Sequence, residues 1–211
     1  MNYGNAFGIE FRGTEEITYK GKPARSVTGT RVFLTEIDDL WDALTNPERI
    51  PRWFLPVSGD FRLGGHYQLK GHAGGKITEC DPPKALSVTW EVGNNTSWVR
   101  VKLDAKERGT RLLLEHVMLK DADSESYWKQ YGPGATGVGW DLSFLALNYH
   151  LVNNGATINP EENAAWMASD NGKAFIRNAA QNWGAAHIAS GESADIADDM
   201  ANLTAKFYTG E

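Results

Sequence analysis

Residues Gly132-Pro133-Gly134-Ala135-Thr136-Gly137 satisfy G-x-G-x-x-G ahead of an apolar helical stretch, so dinucleotide binding is the first chemistry to weigh. That chemistry needs an apolar strand before the glycines and a βαβ unit around them, which brings a pyrophosphate onto a helix N-terminus. Here Ser126-Tyr127-Trp128-Lys129-Gln130-Tyr131 precedes, part aromatic and part polar, and no strand pattern follows the helix. The segment therefore reads as an irregular loop leading into a helix, and no cofactor is expected. The five histidines offer no metal spacing: His66 and His72 lie six apart in a Gly-rich hairpin, and there is no H-E-x-x-H. No metal is expected. No serine sits in G-x-S-x-G, and Cys80, the single cysteine, has no recognisable histidine partner, so covalent catalysis lacks support and Cys80 reads as a buried structural thiol. Asp38, Asp39 and Asp42 read as an exposed face that stabilises a helix.

His116 stands apart. Its strand parity sets it with Leu112, Leu114 and Met118 on an inward face, where it is either a hydrogen-bonded core histidine or a polar anchor inside a cavity. Eight tryptophans are many for 211 residues. Trp53, Trp90, Trp98 and Trp140 fall at helix ends and strand positions from which rings can line a cavity.

These residues need elements to hold them. Residues 6–34 carry turn signals at Gly13, Gly21 and Gly29 and read as one or two strands. Thr35 with Asp38 resembles a capping box for a helix over 36–45, and Asn46-Pro47 opens a second short helix ending near Trp53-Phe54. From Gly65 to Leu119 the period is two: Tyr67 and Leu69, then Leu86, Val88 and Trp90, then Val99, Val101 and Leu103, then Leu112 to Met118. Polar partners on the alternate positions predict an antiparallel sheet with one wet face, with turns at Pro82-Pro83, Gly93-Asn94-Asn95 and Glu107-Arg108-Gly109.

The helix 138–153 carries two apolar stripes, Val138, Leu142, Leu145, Tyr149 and Val152 on one side and Trp140, Phe144, Leu147 and Leu151 on the other. Two stripes need two covers. Ala-rich segments over 160–209, opened by Asn159-Pro160 and divided at Gly172 and Gly191, supply the second cover, with stripes Ile176, Ala180, Trp183, His187 and Ile196, Met200, Leu203, Phe207. The stripe Trp140 to Leu151 is expected to meet them.

Composition narrows the setting. A content of 41% hydrophobic and 23% charged residues fits a globular chain of one domain or one domain with an appendage, and no run reaches the ~18 apolar residues of a membrane span. A net charge of −6, with Lys and Arg scattered, disfavours nucleic acid as a partner. Met1-Asn2-Tyr3-Gly4-Asn5 shows no export signal, and with one cysteine a cytoplasmic location is expected.

The run of Trp41, Leu44-Thr45-Asn46-Pro47, Trp53-Phe54, Gly64-Gly65, Asp81-Pro82-Pro83 and Thr89-Trp90, continued by Gly109-Thr110, His116 and Gly139-Trp140, resembles the SRPBCC superfamily. Within it the chain is similar to the branch named after the activator of the heat-shock-protein-90 ATPase. The resemblance spans roughly residues 30–152. It implies an α+β helix-grip (START-like) fold, a curved antiparallel sheet wrapped around a long C-terminal helix, over residues 1–155, with 156–211 as a helical extension packed on the same domain. It also implies a cavity between sheet and helix. Strand parity then points Tyr67, Trp90, Val101, Leu114 and His116 at the helix, and Trp53, Phe54, Trp140 and either Phe144 or Leu145 complete the expected lining. The expected partner is an apolar or aromatic small molecule, held by a carrier, sequestration or self-resistance protein. A cyclase- or dehydratase-like enzyme acting on a polyketide-like substrate with His116 as acid/base, and a co-chaperone-like interaction domain, are the alternatives. A homodimer covering the second stripe is compatible with the sequence.

Overall fold

The alternating segments pair into a single antiparallel sheet. The computed structural model describes Tyr3 and residues 8–211, so the expectation for residues 6–7 and most of that for the first five lie outside the described residues. Eight strands, β1 (Phe11–Tyr19), β2 (Lys22–Phe33), β3 (Val57–Gly59), β4 (His66–Leu69), β5 (Gly74–Asp81), β6 (Ala85–Val92), β7 (Asn95–Lys106) and β8 (Gly109–Leu119), lie in the order β1-β2-β8-β7-β6-β5-β4-β3. The three expected turns close β5–β6, β6–β7 and β7–β8. One face packs Val27, Phe33, Val99, Leu103, Leu112 and Leu114 into the main core. The other carries a small cluster, Ala24, Trp98 and Val117. Trp98 thus points away from the helix, because it sits one residue out of phase with Val99 and Val101 and opposite Val117.

Between β2 and β3 runs α1 (Ile37–Thr45), with Glu36 at its N-cap. The expected capping box does not form, since the Thr35 hydroxyl donates to Asp39 Oδ2 at 2.5 Å instead. Asn46 Oδ1 accepts from the Glu48 N–H, but the second helix is a single 3₁₀ turn, Ile50–Arg52. Pro51, without an N–H and with a ring that crowds the preceding turn, prevents a longer one.

Two helices occupy the place of the expected loop and helix. α2 (Ala122–Tyr131) is opened by a capping box between Asp121 and Ser124, and α3 (Gly134–Val152) starts four residues before the expected 138. The glycine motif is therefore a helix junction. Gly132 ends α2 at φ +57, Gly134 abuts Thr204, and Gly137 lies under the Trp183 ring, where a Cβ would stand 2.1 Å from it. Close packing explains the glycines without a phosphate.

The C-terminal segments form α4 (Pro160–Ala168), α5 (Asp170–Ala189) and α6 (Ala194–Thr209). Asn159 caps α4 as expected. Gly172 does not divide helices; Ser169 caps α5 and places Gly172 in its first turn. Ile176, Ala180, Trp183 and His187 are buried, whereas Ile196, Leu203 and Phe207 are exposed. α6 turns Ala197, Ala201 and Thr204 inward because Gly184 of α5 approaches Ala201 and Ala197 so closely that only small residues fit.

The extension covers α3 on the side opposite to the expected one. Gly137 and Asp141 face α5, and Trp140, Phe144 and Leu147 face the sheet. Asp141, fully buried, accepts from the Ile9 N–H at 2.7 Å, from Arg12 Nη2 at 2.5 Å and from Trp183 Nε1 at 2.7 Å, which joins the first strand, α3 and α5 at one carboxylate. A polar residue on the α3 flank makes the contact that the apolar stripe was expected to make. Among the described residues no helix is long and apolar enough to cross a membrane.

Candidate functional site

Between the inner sheet face and α3 lies a cavity of about 190 Å³. The sheet contributes Tyr67, Trp90, Val101 and Leu114, α3 contributes Trp140, Phe144 and Leu147, and the segment after α1 contributes Trp53 and Phe54. The strand residues share the wall because β6, β7 and β8 pair in a register that sets Leu86 opposite Val101 and Val101 opposite Leu114. An apolar protein cavity of about 150 Å³ holds benzene, so this space suits one ring or a small fused pair.

Most polar side chains on the wall already donate to protein acceptors, the Trp90 indole N–H and the Cys80 thiol excepted. Thr45 Oγ1 donates to the Trp41 carbonyl at 2.7 Å, Tyr67 Oη to that of Thr89 at 2.8 Å and Ser143 Oγ to that of Gly139 at 2.9 Å. Trp53 Nε1 donates to the Ala43 carbonyl at 2.9 Å. Burial, and the Glu91 carboxylate second, raise the Tyr67 phenol so that it stays protonated. A ligand here meets aromatic and aliphatic surface and few groups able to donate, which favours carbon over oxygen.

His116 stands behind this wall. It is 7% exposed, accepts from Trp140 Nε1 at Nδ1 over 3.1 Å, and has Nε2 2.8 Å from Ser97 Oγ. Acceptance at Nδ1 makes Nε2 the protonated nitrogen, so it donates to Ser97, whose hydroxyl donates to the Trp90 carbonyl at 3.1 Å. Burial pushes the imidazole down to about 4. Neutral, and with both nitrogens engaged, it holds Trp140 in place. It lines outer spaces next to the cavity and is not on the cavity wall.

Of the ten residues expected at the site, eight share the cavity wall: Trp53, Phe54, Tyr67, Trp90, Val101, Leu114, Trp140 and Phe144. His116 and Leu145 do not. Leu145 is buried away from the cavity, ~100° around α3 from Phe144. Parity also marks residues that the expected lining left out: Leu86 and Val88 are in phase with Trp90, Val99 with Val101, Leu112 with Leu114, and Leu147 with Phe144. Phe61 and Ile77 carry no such signal, one lying in a loop and the other beside a β-bulge between Ile77 and Glu79. That bulge resets the phase of β5 and turns Cys80 to the rim of the cavity, where it is exposed and not a buried thiol. Among the described residues no three His, Cys, Asp or Glu side chains are grouped to hold a metal.

The profile of the family described as activator of Hsp90 ATPase homolog 1-like protein matches residues 34–151, more than half of the chain. The chain belongs to this family. As an SRPBCC-type, activator-like domain it has the expected α+β helix-grip fold, and solved structures share it. The crystal structure of CalU16 from Micromonospora echinospora is 27% identical, with a TM-score of 0.62 over 86% of this chain and 98% of that one. The solution structure of CalU16 gives 27% identity and a TM-score of 0.69 over 90% and 100%. DynU16, described as a protein in the dynemicin biosynthetic locus, is similar in fold alone, at 20% identity and a TM-score of 0.51 over 61% of this chain and 48% of that one. No curated protein matches the activator-like chain. The family profile ends at residue 151, before α4, whereas the match to CalU16 extends over nine-tenths of this chain.

Proposed function

We propose that the protein binds an apolar, ring-containing small molecule in the cavity between the sheet and α3, as a carrier or sequestering protein. The observation that carries this reading is a wall of rings and aliphatic side chains most of whose few polar groups are already committed to protein acceptors. Burying a two-ring hydrocarbon there removes apolar surface from water at ~25 cal/mol per Å². The same wall offers no acid or base for a cyclase or dehydratase: His116, the strongest candidate by sequence, is screened by Trp140 and held neutral.

Isothermal titration with 2-naphthol tests the reading. Saturable binding with a negative heat-capacity change is expected, lost in a Val101→Phe variant that fills the cavity while keeping the wild-type melting temperature. Absence of binding, or equal binding by the filled variant, overturns it.

A further inference from the structure

The cavity is the innermost of three spaces in a row. A second space, of about 270 Å³, shares Trp90, Trp140, Phe54 and Ser143 with it. A third, of about 470 Å³, shares His72, His116, Ala135 and Thr136 with the second. The boundary of the inner space is the Trp90–Trp140 pair, with ring centroids 5.3 Å apart. We infer that the ligand is bipartite, an apolar ring unit in the inner cavity joined past these two rings to a neutral polyhydroxylated unit in the outer spaces. This rests on the reading that the inner cavity holds a ring.

Three observations point the same way. The two tryptophans are held differently: Trp140 donates its indole N–H to His116, whereas the Trp90 indole N–H has no partner among the described residues and its ring makes only edge and tilted ring contacts with His72, His116 and Trp140. Trp90 is the leaf that can turn to admit a linked group. The outer spaces have hydrogen-bonding capacity that the protein leaves poorly used. Thr136 Oγ1 gives its proton to the Met118 thioether at 3.6 Å, a weak acceptor that a ligand oxygen outcompetes, and the side chains of Asn95 and Thr96 make no bond among the described residues. Charge sets the sign. Asp121 and Asp123 line the third space and, among the described residues, no Lys or Arg lines either outer space, so an anionic end is repelled.

Titration calorimetry with 2-naphthol and 2-naphthyl β-D-glucoside decides it. The glucoside is expected to bind at least about tenfold more tightly than the naphthol. Thr136→Val and, as a surface variant with little bearing on folding, Asn95→Ala should each shrink that ratio while leaving the naphthol affinity unchanged. If naphthol binds and the glucoside binds equally or more weakly, or if the ratio survives both variants, the bipartite assignment is wrong and the cavity reading stands. If neither compound binds, the cavity reading itself fails and takes this inference with it.

Discussion

The Trp140 indole N–H donates a hydrogen bond to His116, with Nε1 3.1 Å from Nδ1. The pair fixes two things at once, the tautomer of a buried histidine and the orientation of a ring on the cavity wall.

Stability should fall as the solution is acidified through the histidine range. Burial lowers His116 to about 4, from an unfolded value near 6.5, so the unfolded chain binds a proton that the folded one refuses. The contribution of His116 is complete above pH ~6.5 and is lost progressively down to about pH 4, on the order of 3 kcal/mol in all. Thermal melts from pH 7.5 to 4 should show this decline, with a shallower slope in His116→Gln. A Tm independent of pH over that window contradicts the assignment.

A second histidine should loosen the rim of the site on its own. His150 donates from Nδ1 to the Ala156 carbonyl and accepts at Nε2 from Arg49 Nε, both at 2.9 Å. Burial lowers its pKa, the Ala156 bond and Asp39 oppose that, and Arg49 and Arg52 add to it. A protonated ring cannot accept from Arg49, whose other contacts are Asp39 and Asp42 on α1. Hydrogen exchange of the α1 amides, corrected for intrinsic rates, should therefore quicken between pH 7 and pH 5 in the wild type. In His150→Asn the α1 amides should already exchange at the faster rate at pH 7.

Asp141→Ala should cost about 3–5 kcal/mol. It leaves the Arg12 guanidinium, the Ile9 N–H and Trp183 Nε1 without their shared acceptor in a dry environment. Urea unfolding would show the loss as a lower midpoint, and a change under 1 kcal/mol contradicts the role given to this carboxylate.

Gly137→Ala sets two effects against each other. Alanine gains up to ~1 kcal/mol of helix propensity, but its Cβ falls 2.1 Å from the Trp183 ring, and overpacking of this kind costs ~1–3 kcal/mol. Net destabilisation is expected, together with a shift in Trp183 fluorescence. A more stable variant would show that α5 is free to move away from α3.

What the sequence determined by itself was the sheet and the family. Alternation from Tyr67 to Met118, with turns at Pro82, Gly93 and Gly109, fixes strand faces because side chains repeat every two residues, and eight wall residues follow from that together with the resemblance. A helix with apolar residues on both sides has no such signature. Phe144 and Leu145 are equally apolar and lie ~100° apart, and only the docking of Asp141 on Arg12 and Trp183, far away in sequence, decided which of them faces the cavity. The same holds for α6, where large residues suggested the buried face and the close approach at Gly184 selected the alanines. His116 shows the limit plainly. Parity turned it inward, but its partners Ser97 and Trp140 come from another strand and a helix, and their geometry makes it a support for the wall in place of a group on it.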